Sequence, residues 1–189
     1  LRRSRGLGDV YKRQDLARSH GITRDPMLYE DPSQGSWYYE QITLGFNYRM
    51  TELQAALGLS QMKRLKEIVD RRTALAARYD KLLANLPVQL PIQAQSTGSS
   101  WHLYVIQVPK NHHSQIFEYL KSAGIGVNIH YIPIYRHPFY RSMGFKLGQF
   151  PNAESYYSKS ISIPLYFGLT EKDQDKVCAT LEQCFLRIT

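Results

Sequence analysis

Cysteine is scarce in this 189-residue chain, which holds only Cys178 and Cys184. Both fall in one predicted helix, where their spacing turns them about 240° apart. Two such thiols share no face. The pattern argues against a disulfide framework or a cysteine metal site and fits a reducing cytosol. Long apolar runs are missing too. Nothing approaches the ~20 apolar residues that span a membrane, and residues 1–14 carry charge where a secretory leader has its apolar stretch. Repeats and low-complexity tracts are absent. Acidic residues are few beside basic ones, 16 against 24, for a formal net charge of +8. That imbalance raises a basic nucleic-acid-binding module as one reading. Half of it, however, sits in residues 1–14, where Arg2, Arg3, Arg5, Lys12 and Arg13 face Asp9 alone. The rest of the chain shows no clustered basic face, which weakens that reading.

What is present is a globular composition, 43% hydrophobic, long enough for one domain or for parts of two. Residues 15–24 read as the end of a helix closed by Gly21, with Arg18 and His20 where a helix C-terminus favours cations. A loop follows over 25–35. Trp37, Tyr38 and Tyr39 come next, either as ring anchors of that loop or as a wall of a substrate site. Helices are predicted from 51 to about 62 and from about 64 to 85. The second has an apolar stripe of Leu65, Ile68, Val69, Leu75, Ala76, Tyr79, Leu82, Leu83 and Leu86. A polar linker over 93–100 marks the expected domain boundary.

Beyond the linker the order is strand, helix, strand, helix, strand, helix: a small α/β domain. The strands are expected at 103–108, 127–132 and 161–166, the last interrupted by Pro164, which suits an edge or a strand end. The helices are expected from His112-His113 to about 123, over 152–160 with Asn152 as a cap, and from Thr170 with Asp173 supporting its start. Adjacent histidines cannot easily share a metal, so His112-His113 reads as a solvated helix start. Alternation along 127–132 puts Val127, Ile129 and Tyr131 on one face and Asn128, His130 and Ile132 on the other.

Residues 45–58 organise the chain. Thr51 and Gln54 form a capping-box pair that starts a helix, and Ala55, Ala56 and Gly58 leave its face nearly bare, as if another backbone packs there. Asn47 and Arg49 stand just before its positive end, where loop donors suit an anionic group such as a phosphate. The alternative is a loop Asn satisfying local backbone and an Arg paired with a carboxylate.

The same stretch carries a resemblance. Phe46-Asn47-Tyr48-Arg49-Met50-Thr51-Glu52, followed by Gln54-Ala55-Ala56-Leu57-Gly58, resembles a signature of the sugar aminotransferases, enzymes that use pyridoxal 5'-phosphate (PLP) to aminate the keto group of nucleotide-linked sugars. Four more segments match in order: Arg18-Ser19-His20-Gly21-Ile22, then 61–79, 127–135 and 153–164. Coverage runs from about Asp15 to the C-terminus. His130-Tyr131 with Pro133-Ile134-Tyr135 resembles the branch acting on a UDP-linked 4-keto-6-deoxy-N-acetylhexosamine in pseudaminic acid synthesis.

The resemblance implies the C-terminal portion of an aspartate-aminotransferase-type α/β fold. Residues 15–60 would end the large PLP-holding domain, 61–100 would be the connecting helix and linker, and 101–189 the small domain. Residues 1–14 instead resemble translated sequencing adapter. The resemblance further implies a cytoplasmic homodimer with shared active sites, using a nucleotide-sugar substrate and commonly glutamate as amino donor. Asn47 would reach the partner's PLP phosphate, and Arg49 would contact a phosphate or substrate anion. His130 and Tyr131, with Tyr135, would line the nucleotide-sugar site. For His130 the alternative is a strand histidine bonded to a neighbour. For Tyr131 it is core packing, and Tyr156 and Tyr157 read as packing. No lysine stands in the family's cofactor-lysine motif, so the expectation is an N-terminally truncated piece of an enzyme, inactive alone. A non-catalytic interaction domain stays open as a second reading.

Overall fold

The structure is a computed structural model and describes residues 7–30, 35 and 37–188. Residues 1–6 of the adapter-like segment and residues 31–34 of the first loop lie outside these. The chain divides into two compact units, Leu1–Lys63 and Arg64–Thr189. The division therefore falls before the long helix, well ahead of the 93–100 linker. The reason is that Leu75, Ala76, Tyr79 and Leu83 are all buried in the core of the second unit, which ties that helix to the small domain.

In the first unit, α1 (Leu7–Arg18) starts eight residues before Asp15, so helix continues through most of the adapter-like segment. No side chain from Gly8 to Gln14 is buried. The helix ends in a left-handed turn, with His20 at φ 62 and Gly21 at φ 72. Strands β1 (Ile22–Thr23) and β2 (Glu40–Gln41) then pair antiparallel. The loop between them is anchored by rings: Tyr29 packs edge-on against Tyr38 and donates its hydroxyl to the Tyr38 carbonyl at 3.0 Å. Helix α2 (Glu52–Lys63) begins where the capping box places it. The Thr51 amide donates to Gln54 Oε1 at 3.0 Å, and the Gln54 amide donates to Thr51 Oγ1 at 3.3 Å. None of its residues is buried, and Leu53, Leu57, Leu59 and Met62 stand exposed.

The second unit opens with α3 (Leu65–Leu83). Its stripe is buried only in its C-terminal half, while Leu65 stays exposed. Strands β3 (Tyr104–Gln107) and β4 (Ser160–Ile163) pair antiparallel, Val105 opposite Ser162. Between them come α4 (His113–Ser122), α5 (Pro138–Ser142) and α6 (Pro151–Tyr157), and α7 (Glu171–Ile188) closes the unit. Single bridges extend the sheet at both edges, Gln89 to Gln107 and Asn128 to Ser162. β4 is thus an inner strand ending before Pro164. Its four residues are all buried, with the Ser160 hydroxyl satisfied by the Tyr156 carbonyl at 2.6 Å. Helix α7 packs on α3 and α4 through Val177, Leu181, Cys184 and Phe185. Cys178 and Cys184 are buried free thiols, and burial pushes the Cys178 thiol up to about 11.

Two expectations need correction. Residues 127–132 form no strand, only the Asn128–Ser162 bridge. The Asn128 side chain takes the Ile129 amide at 2.8 Å, which withdraws that donor from a ladder. Asn152 caps nothing: α6 starts after Phe150, with Pro151 in its first turn, where a missing N–H costs least.

Candidate functional site

The Asn47 loop is fastened by backbone bonds to the end of α1. The Phe46 amide donates to the Ala17 carbonyl at 2.6 Å, Tyr48 to Arg18 at 2.8 Å, and His20 back to Phe46 at 2.8 Å. Contact is so close that a Cβ on Gly45 would lie 2.3 Å from the Gly21 nitrogen. Glycine is required there by the approach of two backbones. Ser19 and Asn47 form a bridge, so the segment is extended and its side chains alternate. Phe46 and Tyr48 stack on one side, centroids 4.9 Å apart. Asn47 and Arg49 fall on the other. Both are exposed, and neither side chain bonds to another described residue. They end at the capped start of α2, where the first-turn amides add positive potential.

Asn47 and Arg49 therefore fit the phosphate end of a cofactor: one neutral donor and one guanidinium, both unpartnered, on a braced loop. Of the other requirements of PLP, no lysine is grouped with them among the described residues, and the nearby carboxylate, Asp15, is paired with Arg18.

In the second unit His130 is half-buried, with Nδ1 2.8 Å from Ser162 Oγ. Asn128 Nδ2 lies 3.4 Å from its Nε2. Asn128 and His130 do share a side, as alternation predicted, although no strand holds them. The bonded-neighbour reading of His130 is thus met by Ser162, and the same bond orients the ring. Tyr131 is 72% exposed and packs edge-on against His130, so core packing does not describe it here. Tyr135 is buried at 8% exposure and donates its hydroxyl to Glu154. Burial and that bond push its hydroxyl up to about 12. Glu154 also accepts the Gly148 amide at 2.6 Å. These bonds from Tyr135 and Gly148 hold its carboxyl below the usual range.

Sequence reasoning missed Ser162 and Glu154. Ser162 could have been suspected as one of two hydroxyls alternating with isoleucines in a buried strand. Nothing local marks Glu154, whose partners come from two different turns. Among the described residues no group of three metal-ligating side chains occurs, and no helix is long and apolar enough to cross a membrane.

A sequence model of the DegT/DnrJ/EryC1/StrS aminotransferase family matches residues 8–182. Spore coat polysaccharide biosynthesis protein SpsC of Bacillus subtilis is 40% identical over 152 residues, which is 77% of this chain and 39% of that protein. The UDP-4-amino-4,6-dideoxy-N-acetyl-beta-L-altrosamine transaminase of Campylobacter jejuni is 34% identical over 172 residues, 88% of this chain and 43% of that one. Among solved structures, Spr1654 of Streptococcus pneumoniae in its PMP-form superposes with a TM-score of 0.84 at 27% identity, covering 97% of this chain and 47% of its own; its PLP-form matches as well. Helicobacter pylori PseC, an aminotransferase involved in the biosynthesis of pseudoaminic acid, gives 0.81 at 27% identity, covering 95% and 47%. The chain spans about two fifths of the length of these curated relatives.

Proposed function

The chain belongs to the DegT/DnrJ/EryC1/StrS aminotransferase family, and on that ground we propose that it is part of a PLP enzyme aminating the 4-keto carbon of a nucleotide sugar. The substrate we assign is a UDP-linked 4-keto-6-deoxy-N-acetylhexosamine of the pseudaminic acid pathway, with glutamate as donor, in the cytoplasm. The names of the Campylobacter transaminase and of PseC support that choice. PLP, when bound, supplies the ring that carries the amino group from donor to acceptor.

This chain's residues hold and orient. Asn47 donates its amide to a phosphate oxygen of the cofactor, and Arg49 beside it is a charged donor for a phosphate or substrate anion. The Phe46–Tyr48 stack and the bonds to α1 keep both from collapsing onto the loop. His130, oriented by Ser162, offers its Nε2 side to a sugar hydroxyl, and the exposed Tyr131 ring offers a stacking face. Tyr135 acts one step back, because its hydroxyl is spent on Glu154. The cofactor lysine comes from outside these 189 residues, none of whose lysines stands in the family's motif. The enzyme is a homodimer in which Asn47 serves the partner's cofactor. The uncovered apolar side chains of α2 support a missing packing surface.

The observation that carries this reading is the unpartnered Asn47–Arg49 pair on its braced loop. The test uses the full-length protein containing this chain, PLP, the UDP-4-keto sugar and nitrogen-15-labelled glutamate. Label should appear in the sugar at carbon 4. A PLP-loaded protein that moves no label to this sugar would refute the substrate assignment.

A further inference from the structure

The hairpin ahead of the Asn47 loop adds a cation, Arg24, that the sequence motifs do not assign, and brings it to one cleft with Arg49. In the β1–β2 register Ile22 opposes Gln41 and Thr23 opposes Glu40. The next pair outward is Arg24 with Tyr39, and the two stack, the guanidinium carbon 5.7 Å from the ring centroid. Thr23 is buried at 6% exposure, so Ile22 and Arg24 share the opposite face. That face lines an open cleft of about 500 Å³, completed by Asp15, Ser19, His20 and Arg49.

The charges in the cleft do not cancel. Its one acid, Asp15, is taken by Arg18 at 2.5 Å. Arg24 and Arg49 form no ion pair with any described residue. His20, held in its left-handed conformation, has its amide bonded to Phe46 and its carbonyl bonded by the Gln41 side chain at 2.8 Å. The wall carrying its ring is therefore set by backbone. Two free guanidinium forks facing one open volume focus positive potential, and such forks match the paired oxygens of phosphoryl groups.

We infer that this cleft seats the diphosphate of the nucleotide-linked substrate, Arg24 and Arg49 each gripping one phosphoryl group and Tyr39 holding Arg24 in place. The inference rests on reading the protein as a nucleotide-sugar enzyme. The cofactor phosphate shares this chemistry, so the test separates the two. Titrate the 189-residue chain with UDP, inorganic pyrophosphate and pyridoxamine phosphate at low ionic strength, following backbone amide shifts. UDP and pyrophosphate should move the amides around Arg24 and Arg49, and R24Q and R49Q should each weaken both ligands about tenfold. R24K, which keeps the charge without the fork, should fall between. R187Q, on α7, should change nothing. Pyridoxamine phosphate should lose affinity in R49Q and keep it in R24Q.

Unchanged UDP affinity in R24Q, no binding of UDP at all, or Arg24 dependence confined to pyridoxamine phosphate would each overturn the assignment. Arg24-dependent UDP binding by a chain whose full-length protein transfers no nitrogen would sink the proposed activity and leave the cleft assigned. Transfer without Arg24-dependent UDP binding would do the reverse.

Discussion

One oxygen of Glu154 holds both ends of a loop, since it accepts the Tyr135 hydroxyl and the Gly148 amide. The carboxyl titrates below its usual range in the folded chain because of those two bonds. Its contribution is therefore present above the ordinary glutamate value of about 4.3 and is lost as pH falls through the lower folded value. The Gly148 amide shift should stay level down to that ordinary value and move only beneath it. In Glu154→Gln the inflection should vanish. An inflection at or above the ordinary value in the unmodified chain would contradict this clasp. The loop carrying Asn47 and Arg49 and the helix start after it were legible in the sequence, because a capping pair three residues apart marks that start. Glu154 was not, because its partners are 19 and 6 residues away and meet only when the loop closes. For His130, Ser162 as its bonded neighbour was visible only after β4 was placed.

Two of the three expected strands form, as β3 and β4, and the expected starts at Thr51 and Thr170 hold, while the strand at 127–132 and the Asn152 cap do not. Both capping boxes form. On α7, the Asp173 amide donates to Thr170 Oγ1 at 3.1 Å, and the Thr170 hydroxyl donates to Asp173 at 2.6 Å. The Thr170 hydroxyl and the Thr170 amide, both donating to the carboxylate, hold Asp173 below the usual carboxylate range. Because α7 carries much of the core, Thr170→Ala should destabilise the second unit by about 1 kcal/mol, a drop of a few degrees in the thermal midpoint. An unchanged midpoint would show that the box is decorative. The strand expected at 127–132 did not form. Its alternation was real, but Asn128 spent its side chain on the next amide, and one bridge was all that remained. The hairpin pair of Arg24 and Tyr39 also went unread, since two-residue strands leave too short a pattern.

At the scale of the molecule, the basic composition was a poor guide to partners. Its densest part is residues 1–14, and the uncancelled cations that the structure brings together, Arg24 and Arg49, line a cleft of about 500 Å³ instead of a broad face. The wider domain plan was legible as a C-terminal portion of a PLP-transferase fold. Burial along α3 follows its C-terminal half, which periodicity alone does not reveal. Deleting residues 1–14 should leave the denaturation midpoint unchanged within error, because the contacts of α1 that brace the Asn47 loop come from Ala17 and Arg18. A clear fall would show that the segment packs. The central claim is that Asn47 binds the cofactor phosphate. A hydrogen bond to a charged acceptor contributes roughly 1.5–3 kcal/mol, or about a ten- to hundredfold change in affinity. The decisive measurement is the PLP dissociation constant of the full-length protein carrying Asn47→Ala. The account predicts weakening by that factor with an unaltered thermal midpoint of the cofactor-free protein, and PLP affinity equal to that of the unmodified enzyme would contradict it.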